Sequence, residues 1–454
     1  MFRKIEIWIL YIILIFVFLF FIIFGAMIRR EALGGSYIPI ITEVSKIAYF
    51  LAKIPSNIKI ITSPEVLKPH KSKEERFNNL SGFNGVQDEA EKYLLLSRFD
   101  GDLNESVIEL IDLRDFKILH TWNIDVDTLW NKIKNNNGSK WENIFRDKND
   151  QRFFFGHPLI LDDGSVLTAG SSPLIKINKK NQVDWIKDDE VYHHSIEQDI
   201  EGNIWVGVRY FPYRINEKIV GNKIDNYVDD GIRKISPSGD ILFDKSVSNI
   251  FIENDMEYLL FSVGDRQFDI DPIHLNDIQP VEKDSKYWKK GDVFLSLRHQ
   301  SMIILYRPST NKIIWKGVGK FYHQHDVDII DEKRISIFDN NSKDYYDGDV
   351  VDGFNRIVIY DFEKKSYSYY LNESLEKQDV RTITGGTHQI LPNGDFMVEE
   401  TNYGRLLYFD SDGSLKWSYI NRAEDNSVYG LFWARILYRN VDINKVSHYI
   451  NNQN

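Results

Sequence analysis

From about residue 83 onward the chain repeats one unit of short strands and turns, and this restricts the fold more than any other feature. Each unit opens on a Gly or His and runs into a short apolar strand. It then turns through Asp, Asn and Gly, and closes with paired strands that end in an aromatic. His157-Pro-Leu-Ile-Leu-Asp-Asp-Gly leads to a close at Trp185, and His194-Ser-Ile-Glu-Gln-Asp-Ile-Glu-Gly to a close at Phe243. His274 opens a unit that closes at Trp315, His325 opens the next, and His388-Gln-Ile-Leu-Pro-Asn-Gly opens one that closes at Trp417. An earlier unit, without the opening His, runs from about Gly85 to Trp122. Six units of four strands, at roughly 40–60 residues each, predict an all-β, six-bladed β-propeller. Each blade must bury its faces against its neighbours, so the ring has to close. A β-sandwich would also give many short strands, but not this repeated order.

The N-terminus is of another kind. Ile7 to Ile28 holds no charged residue and spans roughly 33 Å as a helix, about one hydrocarbon core. The run is too long for a cleaved signal peptide and ends on Arg29 and Arg30, which predicts an uncleaved signal-anchor. Arg3 and Lys4 on the other flank leave the orientation open. A weakly amphipathic stretch from Tyr37 to Leu51 reads as a helix lying on a membrane, and Lys68 to Asn79 as a polar linker. The expected organisation is a transmembrane anchor over 1–30, a juxtamembrane linker over 31–82, the propeller over 83–425 and a C-terminal tail over 426–454. With no cysteine, the chain has no disulfide, catalytic thiol or Cys-ligated metal. A net charge of −11 argues against general nucleic-acid binding.

Five of the eleven histidines (His157, His194, His274, His325 and His388) stand at similar places in successive units. The first strand of a propeller blade lines the central channel, so these side chains are expected to converge at one mouth of it. A histidine cluster can bind metal or carry group transfer. Asn276 lies two residues after His274, and Arg298 ends the next strand of that unit. A cation and a carboxamide beside several imidazoles suit a tetrahedral oxyanion, sulfuryl or phosphoryl. A metal site gains nothing from an arginine. His157 reads as structural, His193, His299 and His323 as supporting residues, and Asn340 as turn chemistry.

Asp271-Pro-Ile-His-Leu-Asn-Asp-Ile, Phe294-Leu-Ser-Leu-Arg-His, Gln324-His-Asp-Val and Ile337-Phe-Asp-Asn-Asn resemble successive motifs of the bacterial arylsulfate sulfotransferases. So do Tyr192-His-His-Ser-Ile and Gly386-Thr-His-Gln-Ile-Leu-Pro-Asn-Gly. The resemblance implies a six-bladed propeller that moves a sulfuryl group from an aryl sulfate to a phenolic acceptor through a sulfohistidine, with no nucleotide sulfate donor. It implies His325 as the nucleophile, His194 and His274 as further catalytic residues, Arg298 as the holder of the sulfate oxygens and Asn276 as a substrate-binding residue. His388 is placed with Asn276 as a substrate-binding candidate, and either His194 or His274 serves as acid and base. No metal or cofactor is expected. The propeller is expected outside the cytoplasmic membrane, periplasmic or extracellular, on a single-pass anchor. The alternative is a non-catalytic, membrane-anchored propeller used for binding or assembly. A third, His-ligated metal lyase would carry a stoichiometric metal.

Overall fold

The computed structural model describes residues 6–32, 39–61, 70–72, 76–77, 79–133, 149–170, 172–215, 227–260, 269–345 and 348–451. Arg3, Lys4, residues 62–67 and half of the polar linker (68–69, 73–75 and 78) lie outside the described residues. The chain divides into two compact units, Met1–Pro69 and His70–Asn454. In the first, helix α1 (Ile7–Ala32) meets helix α2 (Pro39–Ile61). The apolar run of α1 is long enough to cross a membrane. Helix α2 runs well beyond the amphipathic stretch expected from the sequence and includes Pro55.

The second unit is a six-bladed propeller built from six antiparallel sheets. Blade 2 starts with Leu159–Ile160, blade 3 with Val191–Gln198, blade 4 with Leu275–Pro280 and blade 5 with Val327–Ile329. Blade 6 starts with His388–Ile390. These edge strands line one axial cavity, which identifies them as the innermost strands. Blade 5 also carries an inserted hairpin, Ser342–Tyr345 with Gly348–Val351.

The ring closes twice. Gly82–Gly85 adds a fifth strand to the outer edge of blade 6, with Gly85 opposite Trp417. At the other end, Arg435–Leu437 pairs with Tyr93–Asp100 and so becomes the innermost strand of blade 1. Arg435–Leu437, expected to fall within a C-terminal tail, therefore completes a propeller blade. The physical reason is visible in the first repeat, which lacks its opening His. Its innermost strand is supplied from the far end of the chain, which satisfies the edge of Tyr93–Asp100.

Strand alternation builds the core. In Tyr93–Asp100, Tyr93 and Leu95 point into the wedge between blades 1 and 2, while Leu94 and Leu96 point into the wedge between blades 6 and 1. The same division gives six apolar clusters, one between each pair of neighbouring blades. The aromatics that close the repeats (Trp122, Trp185, Phe243, Trp315 and Trp417) pack in or against five of these wedges, as the sequence predicts. Each fully buried large apolar side chain contributes roughly 1.5–3 kcal/mol, so stability is spread around the ring.

Gly85 tests the closure. Its φ is +127°, and a Cβ there would lie 2.2 Å from the Lys416 carbonyl oxygen. Gly291 also has a positive φ, +87°, but open space around it. Gly85→Ala is expected to cost about 3 kcal/mol, and Gly291→Ala only about 1–2 kcal/mol. Urea unfolding of the two variants measures the difference. Equal losses would mean that the N-terminal strand does not latch the ring.

Candidate active site

The innermost strands begin at one mouth of the channel, and residues in or just before their opening stretches bring four imidazoles together. The His194 ring lies 6.0 Å from His157, 5.6 Å from His274 and 6.4 Å from His325, centroid to centroid. These residues span four blades. His157, His194 and His274 have φ of +50°, +55° and +51°. Left-handed backbone costs a non-glycine residue roughly 1–2 kcal/mol, and such strain gathers at functional sites. At His194 the cause is local. The pairing register slips between Val206 and Gly207, so His194 and Ser195 form a bulge that re-aims the side chain.

His325 is held on both sides of its ring. Its Nδ1–H donates to Asn340 Oδ1 at 2.7 Å, and its Nε2 accepts the Gly385 N–H at 2.9 Å. Asn340 is itself fixed, because its Nδ2 donates to the carbonyls of Thr382 (3.0 Å) and Gly385 (2.8 Å). The tautomer follows: the proton sits on Nδ1 and the lone pair on Nε2. Burial, with Arg298 and His274 adding to it, pushes His325 down to about 3, against a weaker opposing pull from Asn340. Burial also holds His157 and His194 well below the usual imidazole range. These rings are neutral at pH 7.

His274 is different, because it has an acidic partner. Its Nδ1–H donates to Asp271 Oδ2 at 2.6 Å, which leaves Nε2 for other work. His299 lies 4.4 Å from the His274 ring and accepts a hydrogen bond from Arg298 Nη1 at 2.8 Å. Its other nitrogen donates to the Asp271 carbonyl. Arg298 is buried, reaches Asp349 of the inserted hairpin at 3.2 Å, and keeps an Nε–H without a partner among the described residues. Asn276 is fully buried and donates from Nδ2 to the Gln324 carbonyl at 2.9 Å, so it holds the peptide that carries His325. Asp271, His274 and His299 have metal-like spacing. Both nitrogens of His299 are already engaged, however, so this trio does not suit a metal.

The sequence-predicted His325, His194, His274, Arg298 and Asn276 therefore meet around one mouth, and His157 joins them. His388 does not. Phe338 N–H donates to the Asp326 carbonyl in blade 5, and Glu399 N–H to the Thr387 carbonyl in blade 6. These equivalent bonds align Thr387 with Asp326, so Gly386 takes the slot of His325 and His388 falls two positions further on. Its one ring contact among the described residues is Phe338, at 6.3 Å. Two residues count for more than the sequence suggests. Asn340 orients His325, and His299 positions Arg298. His193, by contrast, turns towards Asp230 at 3.2 Å, as a supporting residue should.

A family model described as arylsulfotransferase (ASST) matches residues 157–422, more than half of the chain. The chain belongs to the arylsulfotransferase family. No curated protein matches it. Among solved structures, it is similar to a protein of unknown function from Bacteroides caccae (11% identity, 73% of this chain and 94% of that one, TM-score 0.44). It is also similar to TolB from Acinetobacter baumannii (9% identity, 78% and 68%, TM-score 0.42). A third is the WD40 domain of Neurospora crassa Pan2 (10% identity, 78% and 87%, TM-score 0.38).

The depressed His325 has a measurable consequence for this arylsulfotransferase-family fold. Between pH 6.5, where the unfolded imidazole titrates, and about 3, where the folded one does, only the unfolded chain takes up this proton. Stability is lost as the pH falls through that window, by up to about 1.4 kcal/mol per pH unit from this group. The stability difference between wild type and His325→Gln, read by urea unfolding from pH 7 to 5, should change with that slope. A pH-independent difference would mean that His325 titrates normally in the fold.

Proposed function

We propose that this family member is a membrane-anchored arylsulfotransferase that passes a sulfuryl group from an aryl sulfate to a phenol through a sulfated His325, without a nucleotide donor. The anchor is α1, the catalytic unit is the propeller, and the propeller lies on the outer side of the membrane. The observation that carries the reading is His325 itself. It is buried, neutral and fixed by Asn340, with two further imidazoles and Arg298 around it.

In the first half-reaction the Nε2 lone pair of His325 attacks sulfur and the bond from sulfur to the aryl oxygen breaks. Nε2 must first give up the Gly385 N–H, and that amide is then placed to donate to a sulfuryl oxygen. Arg298 neutralises charge on the equatorial oxygens, as cations do in phosphoryl transfer. Asn276 steadies the Gln324 carbonyl and with it the peptide that carries His325. Of the two histidines left open by the sequence, His274 is the better acid. Its Nδ1–H is held by Asp271 and its Nε2 is left to face the substrate, whereas burial and the neighbouring imidazoles keep His194 neutral. His274 Nε2–H protonates the departing phenolate. In the second half-reaction it takes the proton of the acceptor phenol, whose oxygen attacks sulfur and releases His325. Phe154, Phe432 and Trp433, close to His157, offer aromatic surface for a phenyl ring.

The test is release of a coloured phenol from an aryl sulfate by the full-length protein in detergent, with and without a phenolic acceptor. Release should depend on the acceptor, and His325→Ala should lower it by at least ~10³-fold. Full activity in that variant excludes His325 as the nucleophile, and no release from any of a panel of donors favours the non-catalytic module. Asp271→Asn should lower turnover about 10–100-fold. The loss should be larger for donors whose phenol is a poor leaving group. An equal loss across leaving groups would remove His274 as the acid.

A further inference from the structure

Arg298 already holds a carboxylate. Its Nη2 donates to Asp349 Oδ2 at 3.2 Å, and Asp349 sits on the hairpin inserted into blade 5. The contact is one-sided. Nε–H and Nη2–H lie along one edge of a guanidinium, the edge that grips a carboxylate or a sulfate with two parallel bonds. Here Asp349 meets Nη2 alone, at the long end of the hydrogen-bond range, while the buried Nε has no partner among the described residues. Nη1 is taken by His299 at 2.8 Å. The edge left for a sulfuryl group is therefore the one that Asp349 half fills.

The hairpin carries a second acid beside the first. It is a two-stranded sheet of its own, Ser342–Tyr345 with Gly348–Val351, and a lone pair of strands is marginally stable. Asp344 stands directly opposite Asp349. Residues opposite one another share a face, so both carboxylates lie on the face that reaches Arg298. Like charges in that position weaken the pairing of two strands. The hairpin's lysine does not relieve them: Lys343 lies on the other face, opposite Val350, and pairs with Asp352 at 2.5 Å. The cation that meets the acidic face is Arg298.

We propose that Asp349 is an internal stand-in for the sulfuryl group: it occupies the oxyanion edge of Arg298 before substrate binds, and the substrate displaces it. The inference rests on the reading of Arg298 as the holder of the sulfuryl oxygens. An incoming aryl sulfate sets two oxygens against Nε and Nη2 where Asp349 sets one, so the exchange gains a charge-assisted bond. Asp349 and Asp344 are then left without their cation, and the hairpin loosens. The contact raises the anion concentration needed to enter the mouth. It also turns away an anion such as chloride, which cannot span both donors.

The test reads binding rather than turnover, which separates it from the activity assay. Full-length protein in detergent is titrated with inorganic sulfate by calorimetry. Asp349→Asn should bind sulfate at least about 10-fold more tightly than the wild type. With an aryl sulfate donor, its KM should fall by a larger factor than any change in kcat. In the wild type, saturating sulfate should speed hydrogen exchange of the hairpin amides. Unchanged or weakened sulfate binding in Asp349→Asn overturns the proposal and leaves Asp349 as a residue that only positions Arg298. Hairpin amides whose exchange is unchanged or slowed by sulfate overturn it too, and that reading decides alone should Asp349→Asn fail to fold. Tighter sulfate binding in Asp349→Asn with no turnover of any donor keeps the stand-in and removes the sulfotransferase reading; turnover with unaltered sulfate affinity does the reverse.

Discussion

A propeller blade has two apolar faces and no core of its own, and everything else in this protein depends on that. A strand such as Tyr93–Asp100 is buried on both sides because Leu94 and Tyr93 serve different wedges. The sixth wedge exists only when the last blade meets the first. Both chain ends are therefore recruited: Gly82–Gly85 to the outer edge of blade 6 and Arg435–Leu437 to the inner edge of blade 1. Closure from both ends means that neither end can fray without exposing a strand edge.

The same constraint places the site. Six innermost strands start at one mouth, so residues far apart in sequence meet there without any long loop to carry them. The ring tolerates local strain, and His157, His194 and His274 are among the residues with left-handed backbone. A flexible surface would relax those residues and lose the convergence.

The repeat and the histidines were legible because both are periodic, and periodicity survives without knowledge of contacts. Four things were not. The strand Arg435–Leu437 is too short to stand out, and only the missing opening His of the Gly85–Trp122 unit pointed to it. Asn340 looked like a turn residue because its turn is real; that its Oδ1 faces His325 depends on anchors at Thr382 and Gly385, which come from the next blade. His388 matched the other histidines by eye, but two residues of register separate it from them, and in a strand the register decides which neighbours a side chain meets. His299 was expected to face away from the site because it follows Arg298. The strand ends at Leu297, so alternation no longer applies there.

The channel is divided by charge along its axis. Imidazoles and Arg298 gather at the mouth, and the carboxylates of Glu197, Asp326 and Asp328 line the cavity that begins one residue further along the strand. At a separation of about 7 Å, two strand steps, a bare carboxylate would oppose a bound sulfuryl anion by about 2 kcal/mol at an effective dielectric constant near 20. Arg435 cancels only one of these charges, because Glu197 already claims it. Asp326 is the residue at the boundary. It adjoins His325 in the chain and spends one oxygen on the backbone and ring of His388, so its charge is drawn away from the mouth and towards blade 6. An anion-binding mouth can thus sit directly on an acidic channel, provided the acid nearest to it is already engaged.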